Sequence, residues 1–414
     1  MADRLIADIH THSRFAGACS ESLTIKNMNS AALTKGIDVI GTGDFTHPKW
    51  LAEIKEELEG DSGIYSLKDG KSASFVFSTE VCTIFTHGSG LKKIHHCIIA
   101  SDVSAAESIN DSISKMGNLS SDGRPILSTS PAEMVEAVMG ADRKAIIFPA
   151  HAWTPWYGVF GTYGFNSIKE AYGDQAKHIK AIETGLSSNP EMNWRVSKLD
   201  GYALFSGSDA HSLPKLGREV IVMNREGSLT YDKFASQLLG RRFAMTVEFY
   251  PEEGKYHYDG HRKCNVSLSP EAARKFNGIC PVCRKRLTVG VLHRIEELAD
   301  RKPGEKPSGA IPFISAVPLQ EVISNASGKS PGSEYVKKAY AGFVAAFGTE
   351  FGVFLDAGTE EIRRIDPKLG EAMDNMRNGK INITPGYDGV FGVVDLLNKM
   401  PAQKKGGQKS ISDF

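Results

Sequence analysis

No apolar run in this sequence of 414 residues approaches the roughly 18 that a membrane-spanning helix requires, so no membrane partner is expected. Nor does the chain open with a basic leader before an apolar core, since Asp3, Arg4 and Asp8 fall among the first residues; an intracellular, cytoplasmic location is expected. Cysteine is scarce, with 6 in the chain, and unevenly placed. Cys19, Cys82 and Cys97 are scattered and read as small buried side chains, whereas Cys264, Cys280 and Cys283 cluster as metal ligands do. Net charge is also absent, with 49 basic and 49 acidic residues, yet the balance is local rather than uniform. Residues 260–306 hold 11 lysines and arginines against 5 acidic residues, an excess of six positive charges that the remainder offsets. A basic module on an acidic body suits a protein that grips a polyanion with one part and holds metal with carboxylates in another.

What is present is an ordinary globular composition, 41% hydrophobic and 24% charged, long enough for two or three domains. The chain is organised around Ala7-Asp8-Ile9-His10-Thr11-His12, where an apolar strand delivers two imidazoles to one face as it ends. Strands are expected at 5–9, 37–41, 75–80, 94–100, 145–149, 179–183, 203–206 and 219–223, with helices at 25–35 and 132–138 among them. Strands in series with helices argue an α/β barrel of parallel strands, whose site lies at the strands' carboxyl ends. Those ends carry His10 and His12, then Asp44 with His47 close by, Glu80, His95 and His96, His151, and Asp209 with His211. Mixed nitrogen and oxygen ligands at one rim suit Zn2+, Mn2+ or iron better than Mg2+ alone. His95 and His96 are neighbours on a strand, so only one of them can face the interior.

His10-Thr11-His12-Ser13, Thr42-Gly43-Asp44, Glu80, His95, His151 and Asp209-Ala210-His211 resemble, in order and context, the motifs of the polymerase and histidinol phosphatase (PHP) superfamily. The resemblance spans residues 1–250 and implies a distorted seven-stranded (β/α) barrel with up to three ions. It assigns His10, His12, Glu80 and Asp209 to the first metal, Glu80, His95 and His151 to the second with Glu80 bridging, and Asp44 and His211 to the third. Two departures touch that third site. Gly43-Asp44 stands where the superfamily usually has Asp-His, and Phe15-Ala16-Gly17-Ala18 where an acidic residue often follows the first histidine pair.

Beyond the barrel, a module at 251–308 carries His261-x2-Cys264 and Cys280-x2-Cys283, two close pairs suited to a closed tetrahedral structural zinc; His257 is the alternative fourth ligand. Arg262 and Lys263 belong to the cations around it, which suit phosphate-backbone contacts. Pro303–Gly309 reads as a linker to a helical domain at 309–400, with helices near 336–347 and 367–378 and a glycine-rich loop, Thr384–Gly392, whose aromatics read as core. Within the tail, 401–414, Gln408, Ile411 and Phe414 are spaced like the peptide by which replication and repair proteins dock on the sliding clamp, PCNA.

Barrel, Tyr256–Cys264 zinc entry, Gly278–Cys283 and the Pro385–Gly389 loop together resemble the endonuclease Q family over nearly the whole length. That resemblance implies a metal-dependent endonuclease, nucleoid-associated, with damaged DNA as partner. It would cut the phosphodiester 5′ to uracil, hypoxanthine or xanthine and to abasic sites, with Asp209, Glu80 and His151 in the catalytic cluster. A lesion base must leave the stack to be read, and six aromatics follow His151 within fifteen residues; Trp156 and Tyr157 are the expected DNA contacts. Two rival readings are a small-molecule phosphoesterase of the histidinol phosphatase type and a non-catalytic DNA-binding platform.

Overall fold

The structure is a computed structural model and describes residues 4–88 and 90–398. The clamp-like residues Gln408, Ile411 and Phe414 lie outside the described residues.

The first strand, β1 (Arg4–Asp8), is buried on both faces: Ile6 joins one apolar cluster while Leu5 and Ala7 join another. Double burial is the environment of an internal strand flanked by neighbours and covered on both sides. β1 pairs in parallel with β2 (Val39–Gly41), which pairs in parallel with β3 (Ser74–Val76). The helix Ile25–Lys35 forms the first crossover; the Thr24 side chain caps its start by accepting from Asn27 N, and Gly36, at φ 84°, ends it.

After β3 the alternation breaks. The stretch expected as one strand, 75–80, divides at Phe77, and β4 (Ser78–His87) runs straight into β5 (Gly90–Ile99). Only two residues separate His87 from Gly90, too few for a crossover, so the two strands pair antiparallel along their whole length. β6 (Ile146–Pro149) adds antiparallel to β5, and β7 (Ala181–Glu183) and β8 (Ala203–Phe205) form a parallel pair. β9 (Val220–Asn224) returns antiparallel to β1, followed by β10 (Met245–Glu248).

The described strands therefore form a mixed α/β fold rather than a uniformly parallel one. Its largest sheet has eight strands, and three further pairs and a four-stranded sheet complete the set. Even so, Leu5, Ala7, Val39, Val76, Ile99, Phe148, Ala181, Phe205 and Ile221 meet in one apolar cluster. Strands of three sheets thus share an interior, with the residues that follow β1, β2, β6 and β8 gathered at one end of it.

The expected boundary after residue 308 is crossed by the sheet: β11 (Phe313–Ser315) pairs in parallel with β10. Helices follow at Leu319–Ser327, Glu334–Phe347, Thr359–Ile365 and Pro367–Arg377. Their buried residues, Val322, Val336, Phe343 and Met373, belong to the same cluster as Ile6 and Trp50. A buried ion pair, Lys35 to Glu350 at 2.7 Å, pins this segment to the first helix. By contrast, the module around Cys280 keeps a small core of its own, Val266, Leu268, Ala272, Ala273, Cys280 and Leu287. No helix among the described residues is long and apolar enough to cross a membrane.

Candidate metal centres and their surroundings

The strand-end pattern assembles at the rim. His10, His12, Glu80 and Asp209 bring one ligand atom each within 4.8 Å of the others, and Glu80, His95 and His151 do the same beside them. Glu80 is common to both groups. Its Oε2 lies 3.3 Å from His12 Nε2 and 3.9 Å from His10 Nε2, while its Oε1 lies 2.8 Å from His95 Nδ1 and 3.0 Å from His151 Nε2. Asp209 Oδ1 is 3.1 Å from His12 Nε2 and 3.8 Å from His10 Nε2.

Two of these residues do not sit where the strand-end reading put them. Glu80 is the third residue of β4 and His95 the sixth of β5, so the hairpin itself spans the rim. Its register decides which histidine faces in. Cys82 lies opposite His95 and Glu80 opposite Cys97, which puts His95 on the face of Glu80 and turns His96 to the other side. There His96 bonds Thr83 Oγ1 and Tyr172 OH, both at 2.9 Å.

The residue chemistry fits metal ions. His10 Nε2 is buried and has no hydrogen-bond partner, although it points at two carboxylates. Its other nitrogen, Nδ1, lies 2.9 Å from both oxygens of Glu183, the partner that fixes a ligating imidazole with its free lone pair inward. Burial alone would raise the Glu80 carboxyl; the imidazoles gathered around it, His95 first and then His10, His12 and His151, instead hold it well below the usual carboxylate range. Burial lowers His95 to about 4, so it stays neutral, as a ligand must. The backbone is strained where ligands leave their strands: His151 has φ 30° and Asp209 φ 46°. Arg218 steadies the second of these by donating from Nε to Ser208 O at 2.7 Å and from Nη2 to Asp209 O at 3.1 Å.

The expected third site, Asp44 with His211, is not assembled. Both oxygens of Asp44 are committed, Oδ1 to His12 Nδ1 at 2.9 Å and Oδ2 to the Ser13 amide and hydroxyl at 2.6 and 2.7 Å. Asp44 therefore stands to His12 as Glu183 stands to His10, a carboxylate orienting an imidazole. The His211 ring packs tilted against that of His12, with centroids 4.7 Å apart, and its Nδ1 bonds Asp209 O at 2.9 Å. His47 stacks on Phe15 instead of turning toward the cluster.

The aromatic loop after His151 divides. Trp153, Phe160 and Phe165 are buried in the core, while Trp156, Tyr157 and Tyr163 are exposed at 42%, 39% and 59%. The Tyr157 ring packs 4.4 Å from that of His95, directly beside the second ligand group. In the module, His261, Cys264, Cys280 and Cys283 converge, with His261 Nδ1 3.4 Å from Cys283 Sγ. All three cysteines are free, and three thiols with one imidazole are a structural-zinc donor set. His257 is buried outside this group. Arg262 and Lys263 are exposed on the same knuckle, where the Arg262 amide donates to Asp388 Oδ2 at 2.6 Å. That bond and one from Thr288 to Asp388 at 2.7 Å tie the glycine-rich loop to the module. Tyr387 is buried there, but Phe391, expected in a core, is exposed with Lys255 over its ring.

Sequence reading passed over two residues. Glu183 ends β7 and carried the same strand-end signal as the ligands. Arg124 carried none: it lies in an irregular loop, yet its Nη1 reaches Glu80 Oε2 at 3.2 Å.

Comparison with known proteins agrees over the whole chain. The crystal structure of PfuEndoQ, a lesion-specific endonuclease from Pyrococcus furiosus, matches with a TM-score of 0.85 at 28% identity, covering 94% of this chain and 95% of that one. A complex of endonuclease Q with a 27-mer duplex carrying an abasic lesion at its active site matches at 0.84 and 27% identity, covering 99% and 100%. The family described as MJ0043 C-terminal domain matches residues 318–380, the helical segment. The uncharacterized protein MJ0043 of Methanocaldococcus jannaschii is 32% identical over 252 residues, 59% of this chain but 31% of that protein, so the chain spans under a third of that relative's length.

Fold and buried ligand groups together define the class, a metal-dependent nuclease. Within that class, the chain shares the fold of the endonuclease Q structures over nearly its whole length.

Proposed function

We propose that this protein is a DNA repair endonuclease that cuts on the 5′ side of deaminated bases (uracil, hypoxanthine, xanthine) and abasic sites. The observation that carries the reading is one shared carboxylate, Glu80, between two converging ligand groups, in a chain that matches endonuclease Q from end to end. The related complex holds duplex DNA with an abasic lesion, which supports damaged DNA as partner here.

His10, His12, Glu80 and Asp209 would hold one ion and Glu80, His95 and His151 a second; Zn2+ suits the histidine-rich set, with Mg2+ or Mn2+ compatible with the carboxylates. Such ions, when bound, lower the pKa of water and neutralise a phosphate. The protein's own part is to arrange the rest. Glu183 and Asp44 fix the imidazoles of His10 and His12, Arg218 holds Asp209 in its strained turn, and Tyr157 walls the edge beside His95. Hydrolysis forms a bond from water oxygen to phosphorus and breaks the P–O3′ bond. The departing oxygen takes up a proton, leaving a 3′-hydroxyl upstream and a 5′-phosphate on the lesion nucleotide.

Tyr157, beside His95, and its exposed neighbour Trp156 would stack on an unpaired nucleotide, and Arg262 and Lys263 would meet the backbone. His261, Cys264, Cys280 and Cys283 would hold a structural zinc that keeps this second surface folded. Gln408, Ile411 and Phe414 would dock the chain on the sliding clamp.

A nicking assay on 5′-labelled duplexes containing uracil, hypoxanthine or an abasic site, with and without chelator, tests the reading. A single chelator-sensitive cut 5′ to the lesion is expected. Intact lesion duplexes, with phosphate released from small phosphomonoesters, would overturn it in favour of a small-molecule phosphoesterase.

A further inference from the structure

Resting on the phosphodiester reading above, we propose that Arg124 is a catalytic residue that binds a non-bridging oxygen of the target phosphate. There its guanidinium takes the charge-neutralising place left open where no third ligand group is assembled.

Four observations converge on this. First, the register of the rim fixes Arg124. The short strand Ile126–Leu127 pairs in parallel with Cys82 and Thr83 of β4, and Cys82 N donates to Pro125 O at 2.9 Å, so Arg124 enters beside Glu80. Second, its loop is braced from three sides. Asp122 accepts from the Arg124 amide at 2.9 Å and from Gly17 N at 3.1 Å, Gly123 N donates to Phe15 O at 2.9 Å, and Thr46 Oγ1 donates to Gly123 O at 3.3 Å.

Third, the loop covers the place a third site would need. A Cβ on Gly123 would stand 2.6 Å from Asp44 Oδ2, so only glycine lets the backbone close over that carboxylate. Phe15, Gly17 and Asp44 are the residues that hold this loop or lie beneath it.

Fourth, the guanidinium is not used up. It offers five N–H donors, and among the described residues its one hydrogen bond goes from Nη1 to Glu80 Oε2. Its side chain is 27% exposed, whereas Glu80 is fully buried. A planar fork with free donors at the open side of a carboxylate-rich cluster is built to take two oxygens of one phosphate. An arginine can do this permanently, since it neither dissociates nor loses its proton as an exchangeable ion or a lysine can.

The test uses the full chain loaded with metal. Arg124→Ala should slow single-turnover cutting of an abasic-site duplex by about 10²–10³-fold, the loss felt when one electrostatic contributor to a transition state is removed. Its bound-metal content, by mass spectrometry, should equal that of the wild type, and its affinity for the same duplex in chelator should stay within an order of magnitude. Added methylguanidinium should restore part of the rate, and sodium chloride of equal ionic strength should not; Arg124→Lys should fall between. An Arg124→Ala enzyme that cuts at the wild-type rate, or one that loses metal in step with activity, overturns the proposal; the latter would make Arg124 a clamp on Glu80. If the wild type cuts no lesion duplex but hydrolyses bis(p-nitrophenyl) phosphate, the DNA reading fails alone. The Arg124→Ala effect on that diester then decides the present one.

Discussion

Two places in this molecule gather metal ligands, and they are built in opposite ways. The rim cluster draws His10, Glu80, His95, His151 and Asp209 from strands far apart in the chain, buries them around a shared carboxylate and strains the backbone at two of them. The module takes His261, Cys264, Cys280 and Cys283 from two tight knuckles within 23 residues and packs Cys280 into a core with five apolar side chains. The rim cluster rests on a fold that stands without it; the module's fold has little else to rest on. On this reading a metal in the first place would serve chemistry and in the second structure.

That contrast can be broken most directly at Asp209. Asp209→Asn keeps the shape of the side chain and removes a charged ligand, so cutting should fall by about 10²–10³-fold or more. DNA binding should hold within an order of magnitude, and the thermal midpoint should barely move. A nicking assay beside a melting curve checks this; retained cutting would remove Asp209 from the ligand set. Cys280→Ser should do the reverse. A structural zinc contributes on the order of 10 kcal/mol to the fold of a small domain, so the knuckles should open and be cleaved by protease near residues 260–286. The body around β1 should keep its melting transition, which differential scanning calorimetry would resolve.

The rim was legible because its ligands leave strands at recognisable words, His10-Thr11-His12 and Asp209-Ala210-His211, and the knuckles because cysteine pairs are rare in this chain. The helix Ile25–Lys35 was legible to the residue, since Thr24 and Gly36 are cap residues whose chemistry is local. The β4–β5 hairpin was not. An apolar pattern records burial and says nothing of strand direction, and the turn signal that was present, Gly88-Ser89-Gly90, was passed over. Asp44 was misassigned for a related reason: a carboxylate at a strand end looks the same whether it faces an ion or an imidazole, and only Ser13 and His12 at hydrogen-bond distance tell them apart. The helical segment was set apart as a domain by its proline- and glycine-rich entry, but β11 and the buried Lys35–Glu350 pair bind it into the common core.

A finer probe of the same contrast is Glu183→Gln. The amide cannot accept the His10 Nδ1 proton as a carboxylate does, so the imidazole loses basicity and aim while every direct ligand remains. Metal affinity at the rim should drop by about 10–100-fold, the usual effect of removing such a partner. The metal of the module should be untouched, so a competing chelator should strip the rim at a lower concentration than in the wild type and the module at the same one. Release of the rim metal at the wild-type chelator concentration would show that Glu183 does not tune the rim.

The smallest effect concerns the floor beneath the rim, where Glu248 and Glu219 are buried together. Glu248 Oε2 accepts from Thr184 Oγ1 at 2.9 Å, and burial pushes the carboxyl from 4.5 up to about 7; burial and the neighbouring Glu248 charge raise Glu219 well above its usual range. In the window from 4.5 to about 7 the folded protein keeps on Glu248 a proton that the unfolded chain has lost, so stability must fall as pH rises through it. Glu248→Gln preserves the acceptor for Thr184 and removes the titration. Its thermal midpoint should change less than that of the wild type between about pH 5 and 7 and should lie above it at the upper end. The Cys280→Ser variant should keep the wild-type slope there, because the floor and the module are separate clusters. Parallel slopes for Glu248→Gln and the wild type would mean that the floor carboxyls ionise at ordinary values, and that the buried acids beneath the rim do not set how the fold responds to pH.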